Sequence, residues 1–130
     1  MDAAALTMKR RNFLLDASGT SAIEFAFVGP VFLMLVIGMM YGCMMIYSMA
    51  SLHYAVEEGA RCASVKATVC TDSTSTIAYT QTAYNGPAVV PTFTYATPAC
   101  GKAVTGTANF AFNMGLASWS VPLSATACYP

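Results

Sequence analysis

Charge is scarce in this chain. Six basic and six acidic residues in 130 leave 9% of the sequence charged, against about 25% in ordinary soluble domains. The formal net charge is zero, so there is none of the excess of Lys and Arg that phosphate-directed binding draws on, and nucleic acid is not among the expected partners. The one histidine, His53, lies between Leu52 and Tyr54 with no second ligand type beside it. It reads as an interfacial side chain rather than a metal ligand. No Gly-rich phosphate loop is present, and the adjacent carboxylates Glu57 and Glu58 point to different sides of a helix. Serine and threonine abound without a base partner. No catalytic group, metal or cofactor is expected, and no internal repeat is visible.

The few charges are unevenly placed. Lys9, Arg10 and Arg11 precede a long apolar run, Glu57, Glu58, Arg61 and Lys66 follow it, and beyond these only Asp72 and Lys102 are charged. From Phe25 to Leu52 there is no charged side chain, more than the roughly 20 residues that a bilayer-spanning helix needs. With the basic cluster on its N-terminal side, the positive-inside rule leaves the N-terminus in the cytoplasm and exports the rest. The run is too long for the h-region of a cleaved secretory signal. A lipoprotein signal ending at Gly42–Cys43 is disfavoured by Met40 and Tyr41 just upstream and by Glu24 inside it. Pro30 removes one backbone donor and is expected to kink the helix locally. Gly38 and Gly42 are spaced as a small-x-x-x-small pair that admits a second helix, although glycine is also common in membrane helices for its own sake.

One carboxylate interrupts this pattern near its start. Glu24 at the edge of hydrocarbon costs a few kcal/mol unless it is paired or reaches the headgroup layer, which makes it a functional candidate. Gly19, the four residues Thr20 to Ile23, then Glu24 and the aromatic Phe25 reproduce the spacing of a type IV prepilin processing site. The stretch GTSAIEFAFVGPVFLMLVIGMMYG, the following AVEEGARCA, and the closing VPLSATACYP together resemble the TadE-like family of the tight-adherence (Tad/Flp) pilus system. Phe25 stands where many prepilins have tyrosine. The resemblance implies cleavage by a prepilin peptidase between Gly19 and Thr20, and marks Glu58, Gly59, Ala60 and Arg61 as the family's box after the helix. It also implies a structural minor pilin or pseudopilin. Partners would be the peptidase, other TadE-like or TadG-like subunits, inner-membrane platform proteins, the Flp major pilin and membrane lipid. A chemical logic fits: the freed ammonium of Thr20 would pair with Glu24 of a neighbouring helix, and a wrong stagger would strand a buried charge. The rival from another class is an uncleaved, single-pass, membrane-anchored binding module facing the periplasm.

The expected fold class is α+β, with a long N-terminal transmembrane helix continuing into a small disulfide-linked antiparallel head. Residues 1–19 form a basic cytoplasmic leader, 20–50 the membrane helix, 51–68 its extension, in which Glu57 and Arg61 are spaced as an i,i+4 pair and Gly59 is a weak spot. The head occupies 69–130. It starts with a short helix near Ser75–Tyr84 ended by Asn85-Gly86-Pro87, followed by strands in PTFTYATPA, KAVTGTANFAF and ASWSVPLSATACY. CGK makes the first turn, NMG part of the second, and Pro122 argues for an edge strand. Of five cysteines, Cys43 lies in the membrane helix as a small apolar residue. The other four allow three disulfide connectivities in an oxidising compartment. Antiparallel return of the last strand brings Cys128 towards Cys100 and leaves Cys62 with Cys70; zinc is the competing reading, without a close Cys-x-x-Cys pair to support it.

Overall fold

A computed structural model describes residues 19–87, 89–113 and 117–130, with side chains from Ser21 onward. The basic leader, with Lys9, Arg10 and Arg11, and most of the NMG turn lie outside the described residues. Among those described, the order is α1 (Gly19–Val65), α2 (Ser73–Ala83), β1 (Thr92–Ala96), β2 (Lys102–Asn113) and β3 (Ser118–Tyr129). The chain divides into two units, Met1–Met39 and Met40–Pro130, and α1 contributes to both.

In the first unit the described chain is helix alone. α1 runs on through Pro30, and its apolar side chains there are exposed, Phe25 at 78% and Phe27 at 77%. A helix apolar all round is stable only where something other than water surrounds it. By length and composition, α1 is one helix able to cross a membrane.

The second unit is α+β. Its three strands form an antiparallel sheet in the order β1-β2-β3. Phe93 stands opposite Gly106, which stands opposite Ala125, and β3 pairs with β2 over its whole length, from Asn113–Ser118 to Lys102–Tyr129. β3 is an edge strand, where Pro122, opposite Asn109, can lack a backbone N–H at no cost to a ladder. One sheet face packs on α1. Leu52, Ala55, Val56 and Ala60 come from the helix at spacings that share one face; Phe93, Val104, Ala108, Phe110, Leu123 and Ala125 come from alternate strand positions. Gly106 leaves room for the close approach: a Cβ there would lie 2.8 Å from both Leu52 Cδ1 and Phe93 Cε1.

α1 ends at Val65, three residues short of the expected Thr68-side boundary at Lys66–Thr68, for an identifiable reason. Lys66 N–H donates to Cys62 O at 2.8 Å, Cys70 N–H donates to Lys66 O at 3.0 Å, and the Cys62–Cys70 disulfide fastens the returning chain. Of the terminal carbonyls, which lack helical partners, Ala63 O accepts from Lys102 Nζ at 2.7 Å, a cation placed at the negative end of the helix dipole. The Glu57–Arg61 pair is different: both side chains are exposed, and such pairs contribute only about 0.3–0.5 kcal/mol when they form.

α2 begins two residues before the expected Ser75, at Ser73, because Asp72 caps it. The Asp72 carboxylate accepts from Ser75 N–H at 2.7 Å, and Ser75 Oγ accepts from Asp72 N–H at 3.1 Å. The backbone and hydroxyl hydrogen bonds from Ser75 hold the Asp72 carboxyl below its ordinary value of 3.8. A depressed carboxylate adds stability that is present above the unfolded pKa and is lost as pH falls through the lower folded value. Asp72→Asn, whose amide caps about as well, should therefore leave the midpoint near pH 7 almost unchanged. It should also flatten the decline below pH 4 in a thermal unfolding series, whereas an unchanged acid slope would show that the cap does not contribute to it.

Candidate functional site

The residues singled out by sequence fall into two groups, one in each unit apart from Gly42. Gly19 and Thr20 lie in the first turn of α1 as described. Glu24 and Phe25 are exposed, and the Phe25 ring lies beside Gly29, whose Cβ position is 3.8 Å from Phe25 Cε1. Phe25, Val28, Gly29, Pro30, Phe32 and Leu33 border a shallow apolar notch on the helix surface. At Gly38 and at Gly42 an added Cβ would meet nothing within 4 Å, so each position leaves an open patch of helix backbone. Chemically this segment offers packing surface and one carboxylate, with no nucleophile–base pairing in it.

The box Glu58-Gly59-Ala60-Arg61 is split by its place on α1. Gly59 and Ala60 face inward, while Arg61 is exposed and Glu58 half-exposed. Ala60 belongs to the core between helix and sheet. Gly59 lies against α2, where a Cβ would collide with Thr80 Oγ1 and stand 3.2 Å from Thr80 Cβ and 3.3 Å from its Cγ2. Thr80 is fully buried, as is Thr76 to within 1%. Both can be buried because each hydroxyl donates back along its own helix, Thr80 Oγ1 to Thr76 O and Thr76 Oγ1 to Asp72 O, each at 2.8 Å. Gly59 thus leaves room for Thr80 of α2 against α1, a role that its reading as a helical weak spot did not contain.

The two outward members of the box share one hollow, and Glu58 borders a second. Arg61, with Glu57 and Glu58, faces Thr126–Tyr129 of β3. Glu58 also borders a hollow with Tyr54, Tyr79, Thr82, Tyr84 and Asn85. The loop after α2 is held to α1 by serines: Asn85 N–H donates to Ser51 Oγ at 2.9 Å, and buried Ser48 Oγ lies 3.2 Å from Pro87 O. Burial pushes the Tyr84 phenol up, partly offset by its hydrogen bond with Ser48. Tyr84 therefore stays neutral at physiological pH and acts as a packing residue, edge-on to Phe93 at 6.5 Å.

Cys62 is bonded to Cys70 and Cys100 to Cys128; Cys43 is a free thiol, exposed on α1. Among the described residues, no three His, Cys, Asp or Glu side chains converge as a metal site. Sequence reasoning passed over Asp72, Thr76, Thr80 and Lys102. The Asp72-Ser-Thr-Ser75 spacing was a signal available for the first, whereas the other three depend on which segments meet in space.

Against known proteins, residues 19–61 match the family model of TadE-like proteins, which runs from the start of α1 to Arg61 and ends with the box. The match agrees with the resemblance carried by the Gly19–Glu24 spacing. No curated protein and no solved structure matches.

Proposed function

We propose that this chain, TadE-like over residues 19–61, is a structural minor pilin or pseudopilin that takes part in assembling a tight-adherence pilus. In this reading, residues 20–50 cross the inner membrane with the N-terminus in the cytoplasm. The α+β unit lies in the periplasm or on the extracellular fibre. The observation that carries the proposal is the coincidence, at one end of an exposed apolar helix, of Gly19 and a single carboxylate, Glu24, at the prepilin spacing. Cleavage after Gly19 by a prepilin peptidase frees the Thr20 amine. That ammonium neutralises Glu24 of an adjoining helix, and the stagger that joins them is the only one leaving no buried charge unpaired. Exposed Phe25, the notch at Gly29–Pro30 and the open backbone at Gly38 and Gly42 supply surface for that neighbour. Two disulfides support an oxidising location for the α+β unit. Partners in this scheme are the peptidase, TadE-like or TadG-like subunits, the platform proteins and the Flp major pilin; the role is structural, not enzymatic.

Co-expression of the full chain with a prepilin peptidase, followed by intact-mass measurement, tests it. The expected product begins at Thr20, Gly19→Ala stays full-length, and Glu24→Ala is cut but no longer co-purifies with pilus components. A chain that keeps its leader beside an active peptidase would overturn processing and favour the anchored binding module. Normal assembly of Glu24→Ala would overturn the pairing mechanism.

A further inference from the structure

The core-facing side of β3 extends past the core. Leu123 and Ala125 are buried against α1, and alternate residues of a strand share a face. That face continues through Val121 and Trp119, yet these are 37% and 63% exposed. Their register partners on β2 are Phe110 and Phe112, with rings 4.9 Å apart. Tyr41 of α1 marks where this end lies: its ring is 5.7 Å from Phe112, and its hydroxyl donates to Asn113 O at 3.5 Å. The opposite end of the same strands is held near the end of α1, by Lys102 to Ala63 O and by Ser64 Oγ donating to Tyr129 O at 3.2 Å. So the uncovered part of the apolar stripe sits beside Tyr41, within the uncharged Phe25–Leu52 run, where Met40, Met44, Ile46 and Tyr47 are exposed as well. No charged residue follows Lys102 in the chain, and the other face of this end of β3 carries the small polar Ser118 and Ser120.

Tryptophan and tyrosine, each an apolar ring with one polar atom, suit the boundary between lipid headgroups and acyl chains. We propose that the end of the β2–β3 hairpin bearing Trp119 and Val121 rests in this boundary as a second lipid contact beside the apolar helix, fixing the α+β unit against the bilayer. The proposal rests on α1 being a membrane span. Its occupant is lipid because the uncovered stripe adjoins the segment already apolar enough for lipid and offers no charge to an aqueous partner.

Trp119 is the only tryptophan, so the emission of the full-length chain reports this hairpin alone. The chain would be reconstituted into phosphatidylcholine vesicles, recovered by flotation, and its emission quenched by bromines near the headgroup end of the acyl chain, by bromines near the methyl end, and by aqueous iodide. Strong quenching by the shallow bromines, weaker quenching by the deep ones and little access for iodide are expected. Val121→Glu should lower the shallow quenching and admit iodide, with both disulfides still present by mass. A chain that floats while its tryptophan is open to iodide and untouched by bromine overturns the proposal. So does a tryptophan shielded from both quenchers, which would place protein over it, and so does a Val121→Glu chain quenched like the parent. A chain that does not float overturns the membrane reading itself, a separate outcome.

Discussion

Alanine at position 59 is expected to destabilise the α+β unit by about 2 kcal/mol, although alanine is the better helix former by about 1 kcal/mol. The methyl group would land on Thr80, colliding with Oγ1 and crowding Cβ and Cγ2. A long flexible side chain could give way, but Thr80 is branched at Cβ, fully buried and bonded to Thr76 O. Rotating χ1 either brings Cγ2 to the contact or, with the hydrogen there, takes Oγ1 from its place at Thr76 O. Relief requires α2 to move off α1, and overpacking of this kind costs about 1–3 kcal/mol before the lost threonine packing is counted. Steric cost therefore outweighs propensity. Denaturant unfolding of the detergent-solubilised chain should show the loss, and Thr80→Ala in the Gly59→Ala background should recover part of it. A double-mutant cycle with coupling of about 1 kcal/mol or more would locate the effect at this crossing. If Gly59→Ala equals or exceeds the parent in stability, the contact with α2 is not what requires glycine at this position.

That prediction also marks the limit of what local pattern conveys. Alternation and turn residues delimited the second and third strands to within a residue of Lys102–Asn113 and Ser118–Tyr129, because one face of each is buried and a period of two is imprinted on the residues, whereas the first, expected to run on through Thr97-Pro98-Ala99, stops at Ala96. The turn at Cys100-Gly101-Lys102 was legible because Gly101, at φ 126°, adopts a backbone conformation that side chains disfavour. The uncharged run was legible because lipid tolerates so few alternatives. Contacts between distant segments were not: nothing near Gly59 announces Thr80, and nothing near Lys102 announces Ala63 O. Trp119 is intermediate. Its parity on the core face follows from strand period, but its exposure depends on what lies over that face, which the strand's own residues do not carry.

Serine at both Cys100 and Cys128 should cost about 3–4 kcal/mol, a large share of the 5–15 kcal/mol typical of a domain. The bridge spans 28 residues of sequence, so in the chain-entropy account its loss restores more freedom to the unfolded state than loss of the Cys62–Cys70 bridge, which spans 8 and corresponds to about 2.5 kcal/mol. Access runs the other way round. Cys100 is exposed and Cys128 half-buried, while Cys62 and Cys70 are 1% and 3% exposed. Graded reduction with alkylation and mass mapping should therefore open Cys100–Cys128 first. The consequence is local before it is global, since Cys128 stands opposite Ala103 where β2 begins, and the neighbouring Lys102 and Tyr129 tie that end of the hairpin to Ala63 and Ser64. Hydrogen exchange at Ala127–Tyr129 should accelerate ahead of Leu123 and Ala125, which the core still covers. Simultaneous labelling of all four cysteines, or uniform loss of protection along β3, would mean that the two bridges brace a single cooperative unit and that neither end of the sheet opens on its own.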